Sequence, residues 1–376
     1  MGTSAHQIKQ FPVYTGGLDW KLSINKRNYS LSGQVVGSRS GPDLDGSGAA
    51  VSFDKEGGNH LRGNLYFQYK SKNLDLNRLG YIGRANAWNH STWIQYRTTG
   101  DFWIVRNTYN NFNFWYGENL QGNSIQYGGN YNNTIEFKNS WMWGFGFSPD
   151  FRHYDDLETR GGALFKVPYT WAFWTWMETP ARHPIGLYIE PQWGTNVDGT
   201  WQGLDINLTI KPRENVSISF GPEFEAQDNV SRWVNNMDDS LGQRVDIFGE
   251  LDYRRLDINF RSSVTFTKTL TLQLYSQLYF ATGEYSGFKQ LVPPDQFKQL
   301  TVSYTDNPDF NYKSFNFNAV LRWEYLPGST LYIVWTQARQ RTDEFGNFRF
   351  KRDVDGIFDA QSDNVILAKI NYWWNP

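Results

Sequence analysis

LRWEYLPGSTLYIVWTQ, residues 321–337, decides the fold. Pro327 fixes φ near the value needed at the first central position of a turn, and Gly328 tolerates the positive φ that a type II turn demands next, so the chain reverses there. Upstream, Phe315, Phe317, Ala319, Leu321, Trp323 and Tyr325 alternate with Asn316, Asn318, Arg322 and Glu324. On a pleated strand that period sends the apolar set to one face and the polar set to the other. Downstream, Leu331 to Trp335 is rich in strand formers. The unit is a β-hairpin with one apolar face.

The rest of the chain repeats it. Leu18, Trp20, Leu22 and Ile24 alternate with polar residues, as do Leu204, Ile206, Leu208 and Ile210, and then Leu270, Leu272, Leu274, Leu278 and Phe280. Such segments number roughly 17, most near the ~9–11 residues that a tilted strand needs to cross a bilayer. Short turns, as at 26–28, 212–215 and 267–269, alternate with long polar loops at 38–48, 71–87, 285–309 and 338–362. TTGD at 98–101 is expected to be a tight turn before a strand from Phe102 to Tyr116, and no amphipathic helix of useful length is expected. Within 243–266 the apolar phase passes from odd positions (Val245, Ile247, Leu251) to even ones (Leu256, Ile258, Phe260, Val264, Phe266). That change predicts a turn or a bulge at Arg254-Arg255.

Composition narrows the class. Lys plus Arg is 36 against Asp plus Glu 38, a net charge of −2, so nucleic acid and polybasic membrane attachment have no electrostatic basis. Without cysteine there is no disulfide framework, thiolate metal site or cysteine nucleophile. No run approaches the roughly 18 apolar residues of a transmembrane helix. Yet 17 Trp, 22 Tyr and 27 Phe make up 18% of the chain at a mean hydropathy of −0.61. Sugar-stacking surfaces, blade-like β repeats and the interfacial girdles of a membrane barrel all use aromatics in this way.

The alternation with asymmetric loops predicts an all-β fold: a transmembrane antiparallel up-and-down β-barrel of about 16 to 18 strands, with residues 1–376 as a single barrel domain in the bacterial outer membrane. Its partners would be outer-membrane lipid and the barrel assembly machinery, which would read the last strand by Ile366, Ala368, Ile370, Tyr372 and Trp374. An odd strand count and a first strand running away from the long-loop end predict that further strands complete the barrel. The alternative is a soluble aromatic-rich β protein that binds or hydrolyses polysaccharide through Trp171, Trp174 and Trp176.

The hairpin at 321–337, together with GELDYRRLDINFRSSVTFTKTLTLQLYSQLYFATGEYSGFKQL at 249–291, ETRGGAL at 158–164 and GGLDWKLSINKRNYSLSGQVVGS at 16–38, resembles the C-terminal β-barrel region of a Bacteroidetes-type outer-membrane family. The resemblance spans nearly the whole chain. It implies an outer-membrane location and a barrel without an activity of its own. Members typically carry an N-terminal domain similar to family 9 carbohydrate-binding modules, so the resemblance also implies a link to surface glycans, with carbohydrate as a partner through such a domain. No such domain and no export signal is read in these residues, and the chain is expected to be the C-terminal portion of a longer protein.

Residues that could carry chemistry are few. Asp155, Asp156 and Glu158 beside His153 offer the paired carboxylates a glycosidase uses, although an exposed loop is the simpler reading. Asp43, Asp45 and Ser47 have the opening spacing of a calcium loop but lack its later bidentate glutamate. There is no HExxH, GxSxG, P-loop or dinucleotide fingerprint, so no catalytic residue, cofactor or metal is expected. Arg62, Arg97, Lys211, Arg322, Glu324 and Lys369 occupy the polar phase and are expected to form a screened charge network.

Overall fold

A computed structural model describes residues 2–5, 12–41, 45–77 and 80–374. Among the described residues it is almost wholly β, built of antiparallel strands hydrogen-bonded to their neighbours in sequence, with one short helix. The chain divides into two compact units, one holding mainly the first 138 residues with 144–171, the other mainly 172–292 and 296–376.

In the first unit β1 (Gly2–Ala5), β2 (Val13–Ile24), β3 (Tyr29–Arg39), β4 (Asp45–Lys55), β5 (Leu61–Lys70), β6 (Ala87–Phe102), β7 (Val105–Asn119), β8 (Ser124–Phe137) and β9 (Met142–Asp150) follow one another as neighbours. A small ribbon of β10 (His153–Asp155) and β11 (Phe165–Val167) rises from the loop beyond. In the second unit β12 (Thr170–Glu178), β13 (Ile185–Thr195), β14 (Thr200–Arg213), β15 (Val216–Asp238), β16 (Arg244–Thr267) and β17 (Leu270–Val292) form the next run. β18 (Gln296–Gln299) turns back onto β17, and β19 (Phe310–Leu326), β20 (Ser329–Asp343), helix α1 (Phe350–Asp359) and β21 (Ser362–Asn371) complete the unit. Without the four short strands, seventeen remain, eight in the first unit and nine in the second, as the alternation predicts. The long connection expected at 71–87 is present between β5 and β6, but strands run into those expected at 38–48 and 285–309, β3 reaching Arg39, β4 beginning at Asp45 and β17 reaching Val292.

The organising hairpin is present. β19 ends at Leu326, β20 begins at Ser329, and Gly328 takes φ 77°. Three local expectations need correction. The turn expected at TTGD lies later, because β6 continues to Phe102 and Trp103 at φ 50° makes the reversal with Ile104. A helix does form within 338–362: Phe350, Val354, Ile357 and Phe358 have one-face helical spacing. Finally, β16 passes through Arg254-Arg255 unbroken, paired Ala226↔Arg254 and Glu225↔Arg255. The bulge sits in the neighbouring strand instead, where Gln227↔Tyr253 is followed by Val230↔Leu251 and Asn229 takes φ 55°. Arg254 clamps it by donating to the Gln227 carbonyl at 2.7 Å and to Asp228 at 2.5 Å, while the Asn229 amide donates to Asp252 at 2.9 Å.

One face of each unit is apolar and open. Leu274, Ala319, Trp335 and Ile366 stand opposite one another on four neighbouring strands of the second unit, and Ile366 is 77% exposed. In the first unit Leu18, Leu22, Phe53, Leu65, Phe67 and Ile94 are exposed in the same way. The dry core gathers toward the long-loop end, where Val230, Ile247, Phe248 and Phe280 are fully buried.

Candidate functional site

The opposite face of the second unit is a wall of polar side chains, and the register sets them in rows. One row crosses five strands as Glu190↔Asp205, Asp205↔Glu223, Glu223↔Asp257 and Asp257↔Tyr279. Four carboxylates on adjacent strands repel one another unless donors intervene. Arg255, one row away, supplies its guanidinium to Glu223 and, at 3.1 Å, to Glu225. Gln277 donates to Asp257 at 2.8 Å, Asn259 donates to the same carboxylate at 3.0 Å, and the Tyr275 hydroxyl donates to Asn259 at 3.0 Å. Tyr188 donates to Glu190. Five carboxylates thus face one guanidinium, a local field that favours cations and excess hydration.

Nothing in the sequence reading isolated this wall. Its signal was present, since Glu190, Asp205, Glu223 and Asp257 all fall in the polar phase of their strands, but joining them requires the register between strands.

The residues singled out from sequence are placed differently. Asp155 accepts from the backbone amides of Leu157 at 2.8 Å and Glu158 at 2.9 Å, so it shapes a turn. Asp156 is locked by Arg84 at 2.8 Å and Asn119 at 2.9 Å, and His153 contacts the Phe151 carbonyl at 2.9 Å through Nδ1. Burial alone would push Asp156 up, but the Asn119 and Arg84 bonds outweigh it and hold the carboxyl below its ordinary range. These are loop-fastening roles, and a carboxylate kept ionised in that way is a poor proton donor.

Asp45 pairs with Arg39 at 3.5 Å, whereas Asp43 lies outside the described residues. Among the described residues no group of three or more acidic or histidine side chains could hold a metal ion. Arg97 donates to the carbonyls of Asn59 at 2.9 Å and Gly58 at 3.1 Å, and Lys211 donates to that of Ala181 at 3.1 Å. Both fasten short turns. Arg322 and Glu324 pair at 3.1 Å, Lys369 stands opposite Tyr332, and Arg62 stands opposite Gln95. Arg97, Lys211 and Arg322 thus serve separate local partners and not one shared network. Of the three tryptophans, Trp171 stacks on Phe147 at 6.3 Å, and Trp176 stacks on Tyr188 at 6.1 Å. Strand parity sends Trp171 to the face opposite Trp174 and Trp176, so the three do not share one sugar-stacking surface.

A family model described as a domain of unknown function (DUF5916) matches residues 13–375. No curated protein matches the chain. Among solved structures it is similar to the siderophore receptor PirA from Acinetobacter baumannii, over 98% of this chain and 72% of that one, at 8% identity and a TM-score of 0.48.

Proposed function

We propose that this chain, which belongs to the DUF5916 family, spans the outer membrane as a β-barrel with its apolar face against lipid and its polar face lining a watery interior. The observation that carries this reading is the pairing of the two faces on the same strands. Exposed leucine, isoleucine, phenylalanine and tryptophan cover one side over strand after strand, while carboxylates, amides and hydroxyls cover the other. An open apolar surface of that extent is not carried by a water-soluble monomer. A bilayer, in contrast, requires it, together with complete backbone pairing within the sheet.

The finer role is a membrane anchor or translocation path for a cell-surface glycan-handling protein. It is supported by the sequence resemblance to a barrel that accompanies a carbohydrate-binding domain. The chain itself is read as non-catalytic, because Asp155 and Asp156 are committed to a turn and an ion pair. Polysaccharide turnover that disappears in Asp156→Asn would overturn that part.

The membrane reading is tested by solubility and gel mobility. The purified chain is expected to need detergent or lipid and to migrate differently before and after boiling. A monodisperse, detergent-free monomer whose mobility ignores heating would sink it.

A further inference from the structure

The polar wall changes character two rows from the carboxylates. Ser219, Arg261, Tyr275 and Asn318 stand opposite one another, followed by Ser217, Ser263 and Gln273 in the next row. Together they line a cavity of about 660 Å³. Arg261 differs from Arg255 and Arg322 on this wall. Arg255 and Arg322 are ion-paired, whereas the Arg261 guanidinium has no hydrogen bond or ion pair with any described residue. It lies over the Tyr275 ring, 5.1 Å from the centroid, and the Tyr275 hydroxyl is tied to Asn259. The ring is therefore fixed, and the guanidinium held over it lines the cavity.

We propose that this cavity is a subsite for the oxyanion of a small polar solute, a carboxylate or phosphate group, held by Arg261 among serine hydroxyls. A guanidinium offers two parallel donors that match the geometry of either group. Ser217 and Ser263 add hydroxyl donors around it, the Ser219 hydroxyl being shared with Thr209 at 2.6 Å, and Gln273 and Asn318 can both donate to and accept from the hydroxyls of an attached sugar. The acidic row does not forbid an anion here. Asp257 precedes Arg261 by four residues, roughly 13 Å along a strand, which exceeds the Debye length of about 8 Å at physiological salt. The proposal rests on the reading of this face as watery.

The test uses the full chain in detergent and four probes: inorganic phosphate, glucuronate, glucose 6-phosphate and glucose, titrated calorimetrically at low salt. Glucuronate and glucose 6-phosphate should bind about tenfold or more tightly than glucose, since a charge-assisted bidentate pair is the stronger kind of hydrogen bond. Arg261→Gln should abolish that preference and Arg261→Lys should keep part of it. Ser263→Ala should weaken all anionic probes without altering gel mobility. Inorganic phosphate matching glucose 6-phosphate would assign the subsite to the free ion; weaker binding of phosphate would assign it to the sugar-borne group. Equal binding of charged and neutral sugars, no binding of any anion, or a preference that survives in folded Arg261→Gln overturns the proposal. Heat-modifiable mobility, scored on the same samples, separates these outcomes from a failure of the membrane reading.

Discussion

Ile333→Arg is expected to lower unfolding stability in lipid by about 2–4 kcal/mol, the cost of a cationic side chain on the lipid face near the bilayer midplane. Ile333 stands opposite Leu321 and Ala368, between Leu331 and Trp335 in the same apolar phase, and is 40% exposed. In a sheet that met water on this side the same change would stay within about 0.5 kcal/mol, as exposed substitutions do. The two readings differ by a factor of about 10 to 300 in the folded-to-unfolded ratio, using tenfold per 1.4 kcal/mol. Thr336→Arg, on the polar phase of the same strand, is the control and should cost little. Urea titration of both variants in lipid decides; equal, small effects would remove the support for a lipid-facing side.

The second large effect belongs to helix α1. Lys313, 1% exposed in its side chain, pairs with Asp343 at 2.8 Å and with Asp353 at 3.1 Å. Asp353 also accepts from Asn311 at 3.2 Å, from Arg352 at 3.0 Å and from the Arg349 amide at 2.8 Å, which serves the first turn of the helix. Asp353→Leu strands buried donors and cations and should cost about 3–5 kcal/mol of local stability. The readout is tryptic cleavage at Arg349, Lys351 and Arg352, together with amide exchange across 350–359. Lys313→Met combined with Asp353→Asn removes both charges, keeps a capping oxygen and should recover most of the loss. Unchanged protection in Asp353→Leu would show that the aromatic contacts of Phe348 and Phe350 with Phe280, and of Phe358 with Phe315, suffice to dock the helix.

The same carboxyl sets a pH response. Burial raises the Asp353 pKa, but Arg352, the Arg349 amide and Lys313 outweigh it, so the folded value lies below the ordinary one. A depressed folded pKa contributes stability fully present above the unfolded value, ~3.9, and lost as pH falls through the folded value. The helix should therefore remain protected at pH 5 and be released only below the ordinary carboxylate range. Release already at pH 5 would contradict this assignment.

The hairpin at 321–337 was legible because turn chemistry and period agreed over a short span. The phase change at 243–266 misled because hydrophobicity reports which face is dry, not which way the pleat points. Odd residues of β16 keep one face throughout, but Leu251 and Ile247 bury that face near the long loops, while Leu256 and Phe260 make the other face apolar further along. The bulge left its trace one strand away, at Asp228-Asn229. Helix α1 escaped notice because it is only ten residues long, polar on average and set within a long polar connection, although its four apolar residues keep helical spacing. The acidic row and the Arg261 cavity depend on register, which no single strand encodes.

β15, β16 and β17 run for 23, 24 and 23 residues. If the barrel spans a bilayer as proposed, about 10 residues of each would cross the hydrocarbon, which leaves around a dozen in each strand, or roughly 40 Å of ladder, beyond it. That surplus is a cantilever. The three strands are bonded to one another along most of their length, and the ladder is interrupted at the Asp228-Asn229 bulge braced by Arg254 and again near Trp233-Asn235 and Phe248-Glu250. Between its tip, around residues 239–243, and the wall of carboxylates lie all three of these irregular steps. On the proposed membrane reading, a partner that touches residues 239–243 would do so roughly 40 Å beyond the hydrocarbon, out of reach of the lipid surface.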